Sequence, residues 1–526
     1  MPEKKLPIGI QTFSRIRQEN YLYVDKTDLM WALTQVSPFV FLSRPRRFGK
    51  SLLSSTLASY FQGKRELFAG LKIMSFEKDW KQYPVLHFDL SVAKAQASAD
   101  ALASRLLLLI GEYADIYGRV DKENTPGAML QGVIRRAHEM TGSPVVLLFD
   151  EYDAPLLDVL GDQKTLSQMR RVMQEFYAPL KACEGDIKFC FITGITKFSQ
   201  LSIFSTINNL TNVSMDPRFG TICGITEDEM VKTFADGIAS LAQSYECTRE
   251  QMIGKLRLQY DGYHFSHNSA GVYNPFSLLK SFAQQDLSNW WFESGTPTFL
   301  IHQMQLFRTD ITELDGLEVP SDAFDVPTEG MTTALPLLYQ SGYLTIKAYD
   351  REIQSFTLSI PNQEVRVGFV KGLIPAYTGL DSANVQMGFA AKFWRALKMS
   401  DIDLAMKELQ AFLSGVPYVD GFKKKLSDAA TAEGFYEYTL YLIFATLNVY
   451  VQTQVKCAGG RIDMVVLMPD TTYVFEFKTK GSAQNALAQI NDKEYFLPFR
   501  TVGRKVVKVG VKMNSETRSV EDWCWE

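Results

Sequence analysis

Apolar residues in the first part of the chain form short runs, separated by longer segments with helical spacing. The runs read PFVFLS, YPVLHFDLS, PVVLLFD and IKFCFIT. A continuous apolar run is typical of a strand buried on both faces, and strands that alternate with helices usually form a parallel sheet. We therefore expect an α/β domain with a parallel sheet, covered by helices on both faces and ending near residue 230.

After this domain the pattern changes twice before strands predominate again. The segment beginning ITEDEM opens a mainly helical lid region, in which Thr226 and Glu229 have the spacing of a capping box. The later segment LPLLYQSGYLTIKAYDREIQSFTLS predicts a helix and a strand pair, either a winged-helix-like module or a plain connector between domains. The expected domains are 1–230, 231–345, 346–428 and 429–526.

The first apolar run leads directly into a basic turn and a helix, in FVFLSRPRRFGKSLLSSTLASYF. Gly49, Lys50 and Ser51 match the end of the P-loop motif. In that motif backbone amides and a helix N-terminus hold phosphates, the lysine reaches the outer phosphates and the serine holds Mg²⁺. The segment therefore predicts a nucleotide site.

The loop before this helix departs from the P-loop motif at one position. The first glycine of G-x-x-x-x-G-K-[ST] is replaced by Arg44, and Pro45, Arg46 and Arg47 follow. The loop must therefore make a turn that ordinary residues tolerate. Because guanidinium groups bind phosphate well, we expect those of this loop, Arg46 and Arg47 among them, to contact the nucleotide.

Two carboxylates follow the most apolar run. PVVLLFDEYDAPL places Asp150 and Glu151 directly after a predicted buried strand. This is the pattern of a Walker B strand, in which the first carboxylate holds Mg²⁺ through water and the second polarises the attacking water. The two motifs together predict an ATPase fold that uses ATP and Mg²⁺.

A second candidate site lies near the other end, in GGRIDMVVLMPDTTYVFEFKTK. Strand-forming residues flank a Pro-Asp turn, which predicts a hairpin. If Met468 pairs with Tyr473, Asp463 falls opposite Lys478 and diagonal to Glu476 on one face. The paired carboxylates would repel each other unless a divalent cation bound them. Such a cation lowers the pKa of a bound water and neutralises a phosphate, while the lysine can orient that water.

This hairpin resembles the core of the PD-(D/E)xK nuclease superfamily, which carries an Asp and then a Glu-x-Lys on adjacent strands. The resemblance implies a restriction-endonuclease-like α/β domain with Mg²⁺ or Mn²⁺ at Asp463 and Glu476. It also implies a carboxylate on a preceding helix, for which TAEGFYEYTLYLIFATL offers Glu433 or Glu437; we prefer Glu433, as in related families. In ALAQINDKEYF, Gln489 is expected on a helix that borders the cleft.

A series of motifs occurs in the order found in one bacterial family, and the resemblance covers nearly the whole chain. They read LPIGIQTF, YLYVDKT, RPRRFGKSLL, LLFDEYDAPL, ITGITKFSQLSIFSTINNLT, YDGYHFS and VYNPFSLL. The chain thus resembles the AAA-ATPase-like proteins that bacteria, the Bacteroidota especially, encode with a C-terminal PD-(D/E)xK domain. The resemblance implies ATP binding and a nuclease fold. It also gives Thr193, at the end of IKFCFIT, the place of a γ-phosphate sensor.

Composition limits the range of partners. The 526 residues are 46% apolar and 22% charged, enough for two to four packed domains. The net charge of -4 gives no overall basic field, so any contact with nucleic acid depends on local patches. The six cysteines lack Cys-x-x-Cys spacing, which argues against zinc and fits reduced thiols. With neither a signal core nor an apolar run long enough for a membrane span, we expect a cytoplasmic protein.

Two functions from different classes remain open. In the first, ATP binding or hydrolysis controls a nuclease that cuts nucleic acid, DNA in preference to RNA. In the second, the chain is a signalling or scaffold protein whose nuclease fold is inactive and serves for binding. A factor for mobile-element movement would need the same residues. Homo-oligomers also remain open, with Arg218 either an arginine finger for a neighbouring subunit or a residue of a surface turn.

Overall fold

The computed structural model divides the chain into two compact units. Unit 1 comprises Met1–Trp291 and Gly316–Asn362, and unit 2 comprises Phe292–Asp315 and Gln363–Glu526. The structure describes residues 4–526 except 95–97, 158, 198–208, 295–297, 308, 310–313, 327–330, 379–382, 415–449, 458–459, 469, 501–503, 515–516 and 518. Glu433 and Glu437 therefore lie outside the described residues.

The parallel sheet predicted for the first domain is confirmed. Its strands are β1 (Phe39–Ser43), β2 (Val85–Asp89), β3 (Val145–Asp150), β4 (Ile187–Gly194) and β5 (Thr211–Asn212). They pair in parallel in the order β2-β3-β4-β1-β5, so β4 lies between the P-loop strand and the acidic strand. Every residue of β1 and β3 is buried, because helices cover both faces of the sheet.

Several helices among the described residues begin at a side-chain cap. Thr226 and Glu229 form the expected capping box, and the side chain of Asn274 caps a helix that begins at Pro275. In chain order the helices are α1 (Phe13–Gln18), α2 (Thr27–Thr34), α3 (Lys50–Phe61), α4 (Ala99–Tyr117), α5 (Pro126–Thr141), α6 (Ala154–Leu157), α7 (Gln163–Tyr177), α8 (Pro179–Ala182), α9 (Glu227–Thr233), α10 (Ala235–Ser244), α11 (Arg249–Tyr260), α12 (Pro275–Gln284), α13 (Thr298–Leu306), α14 (Leu335–Gln340), α15 (Gln363–Thr378), α16 (Ala383–Lys398), α17 (Ile402–Ser414), α18 (Ala483–Asp492) and α19 (Leu497–Arg500).

A small three-stranded sheet completes unit 1. It consists of β6 (Leu317–Val319), β7 (Thr345–Asp350) and β8 (Ser355–Ser359), in the order β6-β8-β7. The helix and strand pair expected here are α14, β7 and β8. The boundary expected after residue 345 runs through this sheet, because β7 and β8 pair with each other and β8 also pairs with β6. Whether the module acts as a winged helix stays a prediction.

Unit 2 contains a mixed sheet in the order β13-β12-β11-β10-β9. Its strands are β9 (Tyr450–Cys457), β10 (Gly460–Leu467), β11 (Thr471–Lys478), β12 (Lys505–Met513) and β13 (Val520–Trp525). Buried residues of α16 and α17 form one core with apolar residues of β10 to β13, and Ile490 of α18 belongs to a second core with Val465 and Val474. No helix among the described residues is long and apolar enough to span a membrane.

Candidate functional site

The P-loop candidate joins β1 to α3 at the carboxyl end of β1. Gly49, directly before the first residue of α3, has a φ of 95°, in the left-handed region that favours glycine. A Cβ at Gly49 would meet no atom within 4 Å, so the backbone conformation is what requires the glycine. Lys50 is buried, and its ammonium donates to the carbonyl of Pro45 at 3.1 Å. The loop therefore curls back over the lysine side chain.

Arg44, in the place of the first P-loop glycine, is a buried structural residue. Its guanidinium donates to the carbonyls of Ser43 and Ser214, both at 2.8 Å, and of Phe219, at 2.9 Å. It also lies over the ring of Phe265, 4.2 Å from the centroid. Burial lowers the pKa of this guanidinium to about 10. The expected phosphate contact is therefore wrong for Arg44, whose side chain fastens the base of the loop to the segment after β5.

Arg44→Met is expected to lower the free energy of unfolding by roughly 3 kcal/mol or more, because three buried carbonyls lose a charged donor. Denaturant-induced unfolding measures this loss. The control is Arg218→Met, which removes an exposed guanidinium paired with Asp216 at 2.6 Å and should change the free energy of unfolding much less, because water screens exposed ion pairs. Equal losses in the two variants would contradict the anchoring role of Arg44.

The other two arginines of the loop differ in their surroundings. Arg47 has a φ of 66°, and its guanidinium lies 3.9 Å from the ring centroid of Phe276 and donates to the carbonyl of Trp290 at 3.1 Å. The phosphate contact expected of Arg47 disagrees with this placement, because the ring and the carbonyl hold the guanidinium against α12 and the segment after it. Arg46 is exposed, and its contact with phosphate stays a prediction.

The two acidic residues after β3 lie beside the P-loop. Burial raises the pKa of the Asp150 carboxyl, while a hydrogen bond with Ser51 and the ammonium of Lys50 oppose that rise. Burial also raises the pKa of Glu151, again opposed by Lys50. The Ser51 hydroxyl and the Asp150 carboxylate are thus neighbours and supply oxygen atoms of the kind that Mg²⁺ prefers, so these residues fit the cation.

Thr193 is the last but one residue of β4, which ends one residue later than expected from the sequence, and its hydroxyl forms a hydrogen bond within the sheet. The side chain is fully buried, and Oγ1 donates to the carbonyl of Leu42 at 2.8 Å. This hydrogen bond favours a structural role that ties β4 to β1. Sensing of the γ-phosphate by Thr193 stays a prediction, which this placement does not support.

An apolar cavity next to the P-loop escaped the sequence reasoning. It has a volume of about 100 Å³, and Phe48, Gly49, Leu53 and Ile222 are among the residues that line it. Lys26, from the motif YLYVDKT, also lines it and pairs with Glu229 at 2.6 Å. The motif YLYVDKT was the sequence feature that could have indicated this cavity. Its Lys26 connects the N-terminal segment to Glu229 of α9.

Lys50→Ala is expected to weaken ATP binding tenfold or more, about 1.4 kcal/mol, because the phosphates lose a buried ammonium. Calorimetric titration measures the affinity. Lys181→Ala, which removes an exposed ammonium on α8, is the matched control. Equal ATP affinities of parent and Lys50→Ala would contradict the P-loop assignment.

In unit 2 the predicted hairpin forms with a different register. Met464 pairs with Phe475 and Leu467 with Thr472, so the loop begins one residue earlier than expected. The reason is a tight turn, closed by a hydrogen bond of 2.8 Å from the N–H of Met468 to the carbonyl of Thr471. Extending this register places Asp463 opposite Glu476 in place of Lys478. The side chains still share a face, because the shift in pairing is two residues.

The carboxylates of this hairpin meet in a partly closed site. The N–H of Phe477 donates to Oδ2 of Asp463 at 2.8 Å, and Nζ of Lys478 lies 3.2 Å from Oε1 of Glu476. Burial, and next the charge of Asp463, raise the pKa of Glu476 to about 7. Oε2 of Glu476 is buried and has no hydrogen-bond partner within the described part of the chain. An orphaned carboxylate oxygen beside a second carboxylate fits a divalent cation.

Gln489 reaches this site from α18. Its amide Nε2 donates to Oε1 of Glu476, the oxygen that Lys478 also contacts. The approach of α18 depends on Gly510 of β12, in register with Glu476: a Cβ there would lie 2.3 Å from the carbonyl oxygen of Ala483. Sequence reasoning missed Gly510, for which a glycine inside an apolar strand pattern was the available signal.

Glu476→Gln is expected to stabilise the metal-free protein above pH 7. A raised carboxyl pKa means that the native state binds more protons than the unfolded state, so the parent loses stability as pH rises towards about 7. The variant lacks this loss, and thermal melts in chelator should give a melting temperature higher by roughly 2–4 °C at pH 8 but not at pH 4. Glu521→Gln, on the exposed side of β13, is the control. An equal pH dependence in parent and Glu476→Gln would contradict the prediction.

Comparisons with known proteins agree with this arrangement. Residues 7–204 match the family described as Predicted AAA-ATPase, and residues 431–523 match the PD-(D/E)XK nuclease superfamily. The chain is also 34% identical to the "Uncharacterized protein in vnfD 5'region" of Azotobacter chroococcum mcd 1, over 99% of this chain and 98% of that protein.

The fold and the sites therefore define a P-loop ATPase-like protein with a restriction-endonuclease-like domain in its C-terminal region. More narrowly, the chain belongs to the same family as the Azotobacter protein, and it combines an AAA-ATPase-like domain with a domain of the PD-(D/E)XK nuclease superfamily.

Proposed function

We propose that this protein binds and hydrolyses ATP and that its nucleotide state controls a metal-dependent nuclease site, which acts on nucleic acid and prefers DNA to RNA. One observation carries the nuclease half of the proposal. The buried Oε2 of Glu476 has no hydrogen-bond partner in the described residues, although Lys478 and Gln489 both contact Oε1 of the same carboxylate. Packing alone does not explain a buried carboxylate oxygen without a hydrogen-bond partner, since an unmade buried hydrogen bond costs about 1–3 kcal/mol.

For ATP, the buried ammonium of Lys50 would neutralise phosphate charge, and the apolar cavity beside Gly49 would take the base. Ser51 and Asp150 would hold Mg²⁺, which neutralises charge that develops on the phosphates. Glu151 would take the proton from the attacking water. Its pKa, raised by burial, makes it a stronger base than an exposed carboxylate.

For nucleic acid, Asp463 and Glu476 would hold Mg²⁺ or Mn²⁺, which acidifies a water and offsets the phosphate charge. Lys478 would orient that water, because its ammonium is partly exposed beside Glu476. Gln489 would fix the rotamer of Glu476 through its hydrogen bond. We expect Glu433, outside the described residues, to supply a supporting carboxylate.

Control by ATP is supported by the path of the chain. The chain passes from one unit to the other at Trp291–Phe292, at Asp315–Gly316 and at Asn362–Gln363. The last two passages flank the module Gly316–Asn362, which Lys197 ties to the end of β4 through Asp325 and Gln340. A conformational change at the ATP site could therefore be transmitted through the module Gly316–Asn362 to both of these connections between the units.

The test is a cleavage assay on single- and double-stranded DNA and RNA, with Mg²⁺, Mn²⁺ or chelator, and with ATP, a non-hydrolysable analogue or no nucleotide. We expect metal-dependent cleavage whose rate changes with nucleotide, and faster cleavage of DNA. A protein that binds ATP but cuts nothing under any condition would overturn the nuclease half and favour the scaffold alternative.

A further inference from the structure

Glu151 adopts a backbone conformation that its surroundings must maintain. Its φ of 48° lies in the left-handed region, which is unfavourable for a residue with a side chain. Such conformations persist where neighbouring contacts over-determine them. The contacts of Glu151 and of the residues next to it must therefore supply this constraint.

Asp153 is a fully buried carboxylate that fastens the end of β3 to the end of β4. Its Oδ2 accepts the N–H of Ile195 at 3.0 Å and both the N–H and the hydroxyl of Thr196, each at 2.7 Å. Tyr152 strengthens this link, because its hydroxyl donates to the carbonyl of Thr196 at 2.8 Å and its N–H to the carbonyl of Thr193 at 3.1 Å. The chain directly after Glu151 is thus held to the neighbouring strand.

Burying the carboxylate of Asp153 costs free energy, which indicates that this residue has a role beyond packing. Its partners in the described part of the chain are N–H and hydroxyl groups, and its Oδ1 has no hydrogen-bond partner there. A buried carboxylate without a cation is costly, and an apolar residue of similar size would avoid that cost. Gly194 also accommodates it: a Cβ at Gly194 would lie 2.4 Å from Oδ1 of Asp153. The hydrogen bonds of Asp153 and its close fit against Gly194 thus fix the backbone geometry at the end of β3.

We propose that Asp153 is a positioning residue for ATP hydrolysis. Its hydrogen bonds to Ile195 and Thr196 hold the backbone of Glu151 in the left-handed conformation and so keep the water-activating carboxylate beside Asp150 and Lys50. This inference rests on the proposed function, in which Glu151 takes the proton from water. Asp153 itself touches neither the nucleotide nor the water.

The test compares Asp153→Ala and Asp153→Asn with the parent full-length protein. Turnover is expressed per ATP site found by titration, so that misfolded protein does not count. Because a small misplacement of a catalytic group is costly, Asp153→Ala should lower kcat about tenfold or more, while the Kd for ATP stays within about threefold. Asp153→Asn should recover kcat to within about threefold of the parent, because its amide oxygen accepts the same N–H groups.

Two further variants keep the test decisive. Asp162→Ala removes a carboxylate that also accepts three donors but only caps α7, and it should leave kcat unchanged. Thr196→Val removes one donor to Asp153 at constant volume and should lower kcat severalfold, even if Asp153→Ala does not fold.

The outcomes separate the inference from the function on which it rests. If the parent hydrolyses ATP and Glu151→Gln does not, unchanged kcat in both Asp153→Ala and Thr196→Val overturns the positioning role alone. A parallel loss of ATP affinity and kcat in the folded Asp153 variants also overturns it, since that indicates damage to the whole site. A parent without turnover overturns the proposed hydrolysis together with the inference.

Discussion

Asp463→Asn is expected to lower metal-dependent cleavage roughly a hundredfold or more. The substitution keeps the size of the side chain but removes the charge of one of the two carboxylates that we propose as metal ligands, which the register of β10 and β11 places opposite each other. Titration with Mn²⁺ should show weaker metal binding in the same variant. Lys478→Ala should retain metal binding and lose cleavage, because its ammonium contacts Glu476 and would orient the water.

The matched control is Asp470→Asn, which changes an exposed carboxylate in the turn of the same hairpin. Its cleavage rate and metal affinity should equal those of the parent. Cleavage that persists at the parental rate in Asp463→Asn would point to a different site or to a contaminating nuclease, and the assignment of this hairpin would then fail.

Glu151→Gln is expected to lower ATP turnover by roughly two orders of magnitude or more while ATP still binds. The amide keeps the shape of the side chain but cannot accept a proton from water. Retained binding follows because Lys50 and the loop around it are unchanged. Steady-state hydrolysis with titration of ATP on the same sample measures both quantities.

Glu184→Gln, an exposed change before β4, is the control for this substitution and should hydrolyse ATP at the parental rate. Unchanged turnover in Glu151→Gln would contradict the catalytic role of Glu151, which would then be only an acidic residue after a strand. The inference about Asp153 would then fail with it, because Asp153 would have no catalytic group to position.

Local patterns were enough to select the residues of both candidate sites, because each motif is contiguous in the chain. Gly49, Lys50 and Ser51 come together through the start of one helix, and Asp150 with Glu151 through the end of one strand. The hairpin face was also predictable, although the register was not. A shift of two residues leaves Asp463 and the Glu-x-Lys pair on the same face, and the turn that set the register depends on a backbone hydrogen bond of Met468.

The roles of the loop arginines were beyond local reasoning, because their partners are distant in sequence. Arg44 is held by carbonyls of Ser214 and Phe219, and Arg47 lies on the ring of Phe276. The sequence alone does not tell which backbone carbonyls lie within hydrogen-bond distance of an arginine in the phosphate loop. The role of Asp153 was beyond local reasoning for the same reason, since its donors Ile195 and Thr196 lie directly after β4, 42 and 43 residues further along the chain.

The discontinuity of unit 1 constrains how the protein can be made and divided. Because Gly316–Asn362 belongs to unit 1, the ATPase-like part is complete only after residue 362 has left the ribosome, and most of unit 2 is synthesised later. A fragment that ends at Trp291 would leave the buried ammonium of Lys197 without Asp325. Cutting this protein at a single peptide bond therefore cannot yield two intact halves.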